Sequence, residues 1–173
     1  MSQSLRYLDL EGWKEFNNFD GQEFHMEVIL PLSIEESYDE WMHYCWKGMH
    51  STIIEIGTGR SEAQGSHRVV PGRIHEKILR VAEPDGSNDN FPSITYKVIS
   101  GPFPVDDHLG FVRFIPDLNN QTLVCWDVKF VPSSIAKIFC CGGATLRMVS
   151  RSYIQSELNA WRKNAIRRNK PND

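Results

Sequence analysis

"ATLRMVSRSYIQSELNAWRKNAIRRN", residues 144–169, is the longest periodic stretch in the chain. Leu146, Val149, Tyr153, Ile154, Leu158, Trp161 and Ala165 recur at helical spacing with arginines on the other side, which predicts one amphipathic helix. At 1.5 Å per residue, about 25 residues reach about 37 Å, enough to cross the whole face of a sheet. The residues before this helix supply such a sheet.

Immediately upstream, residues 122–131 alternate with period two. Thr122, Val124, Trp126, Val128 and Phe130 share one uncharged face, and Leu123, Cys125, Asp127, Lys129 and Val131 share the other, so the first set is expected to face inward. Asp117-Leu118-Asn119-Asn120 reads as a hairpin turn back to a strand over 109–116. Pro102 and Pro104, which cannot donate to a ladder, separate that strand from one over 93–100. Further strand signals cover 73–82, 66–70 and 53–57, making six consecutive strands, a meander rather than a parallel array. A seventh strand is expected at 24–30. It ends in Ser33-Ile34-Glu35-Glu36, where Ser33 and Glu36 have the spacing of a capping box. Ile34, Tyr38, Trp41 and Met42 then form one apolar helical face, ended by Gly48 directly or after a second short helix over 44–47. The order is strand, one or two short helices, six strands and a long helix, an α+β class.

The 173 residues are 40% hydrophobic and 24% charged, the composition of an ordinary soluble domain. A chain of this size buries roughly 70% of its unfolded surface, so a single domain with a real core is expected. No stretch approaches the ~20 apolar residues of a membrane span. The first residues show no apolar segment before a small-residue cleavage site, and a cytoplasmic location is expected. The net charge of −3 is uneven. Residues 144–173 carry seven basic and two acidic groups, a net of +5, and the other 143 carry 12 basic and 20 acidic, a net of −8. Arg162, Lys163, Arg167 and Arg168 gather where the helix macrodipole favours cations, so no nucleic-acid partner is inferred.

The glycines of "IEIGTGRSEAQGSHRVV", residues 54–70, do not make a phosphate cradle. No Lys-Ser or Lys-Thr follows Gly65, and Gly57-x-Gly59 leads into strand residues rather than a helix. They are read as turning the chain between two strands. Cys45, Cys125, Cys140 and Cys141 lack C-x-x-C spacing and are expected to be reduced thiols. His25, His43, His75 and His108 are scattered without metal-ligand spacing. No G-x-S-x-G elbow assembles a nucleophilic triad. Neither a metal nor a cofactor is expected.

Taken together, the element order resembles the helix-grip fold of the START and birch-pollen-allergen superfamily, especially its polyketide cyclase/dehydratase-like (SRPBCC) branch. The local matches are Ser33-Ile34-Glu35-Glu36-Ser37-Tyr38, Gly65-Ser66-His67-Arg68-Val69-Val70 with Ile74-His75-Glu76-Lys77-Ile78, and residues 123–132, LVCWDVKFVP. The resemblance covers residues 24–170 and sets residues 1–23 apart as an N-terminal extension to a ligand-binding domain over 24–173. It implies a curved antiparallel sheet of seven strands gripping the long C-terminal helix, with a cavity for hydrophobic ligands between them.

Strand alternation nominates the lining residues. Ile94, Tyr96 and Val98 share a face, as do Ile74, Glu76 and Ile78. Glu76 thus stands between two isoleucines, where a carboxylate must be paired, hydrogen-bonded or protonated. It reads as a polar anchor or acid/base group, as a structural partner of Arg68 or Arg113, or as a strand-end carboxylate reaching solvent past a strongly curved edge. Trp126 and Trp161 read as core or as lining. The candidate ligand-binding set is Glu76, Tyr96, Val98, Trp126, Val128, Phe130 and Trp161. The leading function is binding of a small hydrophobic molecule of lipid, sterol-like or polyketide-like type, with transient membrane contact compatible with that role. One alternative is a cyclase, dehydratase or aromatase using Glu76 for proton transfer. The other is a protein-interaction subunit with a filled interior.

Overall fold

The capping box at Ser33 is formed as its spacing predicts. The Glu36 backbone N–H donates to Ser33 Oγ at 3.3 Å, and the Ser33 N–H donates to the Glu36 carboxylate at 2.9 Å. In the computed structural model, which describes residues 10–48, 50–86, 91–139 and 143–168, this cap opens α2 (Ile34–Glu40) directly after β1 (Gln22–Leu30). The helix then widens into one π-helical segment, Trp41–Trp46, where the Lys47 N–H reaches back to Met42 O. The expected second short helix is this wider continuation. Trp41, Met42, Cys45 and Trp46 are all buried by it.

A single seven-stranded antiparallel sheet follows, in the order β1-β7-β6-β5-β4-β3-β2. Its further members are β2 (Thr52–Glu55), β3 (His67–Val70), β4 (Ile74–Ala82), β5 (Ser93–Ser100), β6 (Val105–Asp117) and β7 (Gln121–Pro132). Sequence neighbours pair throughout, except that β1 closes onto β7, with Met26 opposite Trp126 and Phe24 opposite Val128. A short helix α3 (Ser134–Phe139) precedes α4 (Ala144–Arg168), the predicted long helix. The curved sheet and the long helix make this the helix-grip fold. No helix among the described residues is long and apolar enough to cross a membrane.

The face assignment of the last strand holds: Thr122, Val124, Trp126, Val128 and Phe130 are all buried. β6 starts at Val105, four residues before the predicted strand, because the chain resumes the ladder directly after Pro104. The glycine loop turns the chain as expected. Arg60 makes a two-pronged pair with Asp39 at 2.8 and 2.6 Å, so the loop is pinned to α2. Gly57 is required because a Cβ there would collide with the Glu62 and Gln64 carbonyls.

Another packed layer lies on the outer face. Helix α1 (Leu10–Asn18) lays Trp13 and Phe16 on Phe111 of β6, with ring centroids 5.8 and 5.6 Å apart. Phe16, Leu109 and Phe111 form a core separate from the main one. Burying one such side chain contributes about 1.5–3 kcal/mol. Cys45 and Cys125 are free and buried, while Cys140 and Cys141 lie outside the described residues.

Trp126 sits in the main core, its indole N–H donating to Tyr96 Oη at 2.9 Å and its ring edge-on to Trp41. Truncation to Ala is expected to cost about 3–5 kcal/mol, as for other large aromatics in packed interiors. A chemical-denaturation midpoint equal to that of the wild type would refute this placement.

Candidate ligand-binding site

Helix α4 is only half packed. Its C-terminal half buries Leu158, Trp161 and Ala165, whereas Val149 and Tyr153, on the same predicted stripe, are 57% and 43% exposed. Under that N-terminal half lies a cavity of about 320 Å³, at the lower end of the about 300–1,000 Å³ typical of small-molecule sites. Val149, Ser150, Tyr153 and Ile154 border it from α4, and Phe24, Val128 and Phe130 from β1 and β7. Val70, Pro71, Ile74 and Phe103 extend the wall towards the strand ends.

Its polar groups are few. Arg68, Glu76, Tyr96 and His108 line it together with Trp126. Arg68 and Glu76 face each other across β3 and β4. The Arg68 Nε and Nη2 both reach Glu76 Oε2, at 2.7 and 2.6 Å. Its Nη1 donates to Cys45 O and, at 2.8 Å, to Trp46 O. These carbonyls are at the end of the π segment, where helix carbonyls lack intrahelical partners and a cation is favoured. The guanidinium also lies 4.1 Å from the Trp46 ring centroid. Of the two structural partners expected for Glu76, Arg68 is the one it meets; Arg113 pairs with Asp127 on the opposite face.

Tyr96 and His108 meet where the sheet parts. Backbone pairing of β5 with β6 stops at Tyr96 and Gly110, while β5 continues beside β4 to Ser100. The Val98 N–H, freed from the ladder, donates to His108 Nδ1 at 3.3 Å. That bond makes Nδ1 the acceptor and leaves the proton on Nε2. Burial pushes the His108 imidazole down to about 4, against weaker opposing pulls from the Glu76 and Asp107 charges, so it is neutral at physiological pH. Burial, reinforced by the Glu76 charge, likewise raises the Tyr96 phenol and keeps it protonated. Gly110 allows the arrangement, since a Cβ at that position would strike the Tyr96 ring.

Five of the seven residues nominated from sequence, Glu76, Tyr96, Trp126, Val128 and Phe130, line this cavity. Val98 and Trp161 are not among its lining residues. Val98 is half-buried and contributes through its backbone. Trp161 is buried in the packed half of α4, its indole N–H held by Glu40 at 2.8 Å. His108 lies outside the strand expected over 109–116; the strand starts at Val105, four residues earlier, and alternation carried back from Val112 through Gly110 places His108 inward. Arg68 was foreseen as a partner, not as a lining group.

No family model matches the chain, and no curated protein matches it. Among solved structures it is similar to an uncharacterised protein from Bacillus thuringiensis, at 15% identity and TM-score 0.55, covering 84% of this chain and 99% of that one. It is also similar to a point mutant of norcoclaurine synthase from Thalictrum flavum bound to a transition-state analogue, at 15% identity and TM-score 0.52, covering 87% and 98%. The same synthase in complex with dopamine and hydroxybenzaldehyde aligns at 14% identity and TM-score 0.50, covering 87% and 89%. At such identities the likeness shows the fold alone.

The buried His108 has a stability signature. Its folded value lies below the 6.5 of a free imidazole, so the unfolded chain takes up the proton first. Its stabilising effect is complete above 6.5 and is lost as pH falls towards about 4. The full loss amounts to about 3 kcal/mol. His25, whose value is raised, acts in the opposite sense. Denaturation midpoints are therefore compared between wild type and His108→Asn at neutral and mildly acid pH. The wild type is expected to lose more stability on acidification, and parallel losses would refute a buried neutral His108.

Proposed function

We propose that the chain binds a small, neutral, largely hydrophobic molecule in the cavity beneath the N-terminal half of α4. The observation that carries this reading is an apolar space of about 320 Å³ bordered by very few polar groups. Lipid, sterol-like and polyketide-like molecules are the classes such a wall suits, by burial of apolar surface with a few polar groups fixing orientation.

The charge state of the wall supports a neutral occupant. Arg68 is occupied by Glu76 and two backbone carbonyls, and its charge is matched by the carboxylate beside it. An anionic ligand would have to compete with Glu76 for that guanidinium. Neutral donors on the wall include His108 Nε2–H and the Tyr96 hydroxyl, whose oxygen already accepts from Trp126, beside the hydroxyls of Ser150 and Tyr153. A carbonyl or hydroxyl oxygen is the group that such donors orient. The reduced, buried Cys45 and Cys125 are in keeping with a cytoplasmic location.

A second reading, an enzyme of the cyclase, dehydratase or aromatase type, is favoured by the convergence of Glu76, Tyr96 and His108 on one space. The synthase among the similar structures shows that this fold can carry catalysis, although fold alone does not transfer it.

Intrinsic tryptophan emission and melting temperature would be followed while a long-chain methyl ketone and the matching fatty-acid anion are added separately. The ketone is expected to shift emission, raise the melting temperature and bind more tightly than the anion. A ligand of the native state must stabilise it. A flat response to both probes would sink the cavity reading, and preference for the anion would sink its neutral form.

Glu76→Gln separates anchor from ion-pair partner. Removing one member of a buried pair costs about 3–5 kcal/mol when the other charge is left without compensation. The expected outcome is a lower melting temperature with ketone affinity per folded molecule retained. Unchanged stability with lost affinity would instead make Glu76 the ligand anchor.

A further inference from the structure

On the outer face of the sheet, away from the cavity, β1 and β7 bring together residues that are about a hundred positions apart in the chain. His25 is opposite Asp127 and Glu27 is opposite Cys125. Because side chains alternate across a strand, all four project on the same side, forming a two-by-two block. One ligand atom from each of His25, Glu27 and Cys125 lies within 4.8 Å of those of the other two. The His25 Nε2 to Glu27 Oε2 distance is 3.3 Å.

These residue types and distances have a common chemical use. Zinc takes nitrogen, thiolate sulfur and carboxylate oxygen at about 2.0–2.3 Å in tetrahedral geometry, which places neighbouring ligand atoms roughly 3.3–3.8 Å apart. The His25–Glu27 separation already meets that spacing. Glu27 is exposed and can adjust, while Cys125 forms the floor of the site beneath the two exposed side chains. The fourth position faces solvent and is available to water.

The surroundings are arranged as a metal-binding histidine requires. His25 Nδ1 lies 2.5 Å from Asp127 Oδ1, and the other oxygen of Asp127 accepts from Arg113 at 2.6 Å. A histidine that binds a metal through one nitrogen commonly donates its other N–H to a carboxylate, which fixes the ring and its tautomer. Here Asp127 holds Nδ1 and leaves Nε2 beside Glu27. Arg113 neutralises Asp127, so the site's own charges are the Glu27 carboxylate and the Cys125 thiolate. Together they balance one divalent cation, with the thiol proton released on binding.

We infer that His25, Glu27 and Cys125 form a binding site for a zinc-class divalent cation on the outer face of β1 and β7, with Asp127 as the residue that positions His25. Such an ion ties the first strand of the domain to the last strand, independently of any ligand in the cavity.

Cobalt(II) serves as the probe, because a thiolate ligand produces a sulfur-to-cobalt charge-transfer band in the near ultraviolet and tetrahedral geometry produces strong visible bands. The metal-free full chain titrated with cobalt(II) is expected to show both at one ion per chain, with zinc abolishing them. Cys125→Ser removes the charge-transfer band, and Glu27→Gln, an exposed and structurally tolerant change, weakens binding by at least about tenfold. Cys140→Ser/Cys141→Ser keeps the band, which separates this site from the adjacent cysteine pair. Asp127→Asn weakens binding without removing the band. The inference is overturned if saturating cobalt gives no charge-transfer band, if the band survives Cys125→Ser, or if it is lost with Cys140 and Cys141. Circular dichroism confirms that each variant is folded, and if Cys125→Ser is not, Cys125→Ala takes its place.

Discussion

The buried pair between Arg68 and Glu76 joins three parts of the molecule that would otherwise meet only through apolar contact. Arg68 comes from β3 and Glu76 from β4, and the guanidinium also caps the carbonyls of Cys45 and Trp46 at the end of the π segment. Burying either charge alone would be prohibitive, and burying both is tolerable because nearly every donor on Arg68 is occupied. The Trp46 ring covers one side of the guanidinium. Its indole N–H is held in turn by Ser66 at 2.9 Å. One electrostatic knot thus fixes where the helix after β1 sits against the far half of the sheet.

That placement shapes the cavity. Trp41 and Trp46, carried by the π segment, pack against Tyr96 and Trp126 with centroids 5.2–6.5 Å apart and fill one end of the space inside the sheet. The packed half of α4 fills the region beside them with Leu158, Trp161 and Ala165. Space remains under the other half, where the helix stripe carries Val149 and Tyr153 near the opening. The parting of β5 from β6 beyond Tyr96 adds His108 to the wall as a neutral donor. The polar groups bordering this space thus comprise neutral hydrogen-bond donors and one internally compensated ion pair.

The outer face follows a different logic. Alternation along β6 and β7 puts Phe111, Arg113, Cys125 and Asp127 outward, yet Phe111, Cys125 and Asp127 are buried. Helix α1 accounts for Phe111 directly, and Trp13 lies over Arg113, with 5.1 Å from its ring centroid to the guanidinium carbon. Arg113 then pairs with Asp127, and Asp127 with His25. A polar network can stand on this face because α1 shields one flank while His25 and Glu27 remain open to solvent at the other.

The seven strands in order, the helix after the first of them, the inward face of the last strand, the capping box and the long helix are legible in the sequence, whereas α1 and α3 are not. Each legible feature rests on local rules: period two in strands, period 3.6 in helices, and the reach of a side chain to a backbone three residues away. The sequence also determined five cavity-lining residues, because inward-facing positions can be counted along a strand. Tertiary structure alone decided which part of the α4 stripe would be packed and which would border a void, since a void depends on volumes contributed by remote segments. It chose Arg68 over Arg113 as the partner of Glu76, both being arginines on strands but on opposite faces of the sheet. It brought His25 to Asp127 and Glu27 to Cys125 across the pairing of first and last strands, a register set by long-range hydrogen bonding that leaves no short-range spacing in the chain.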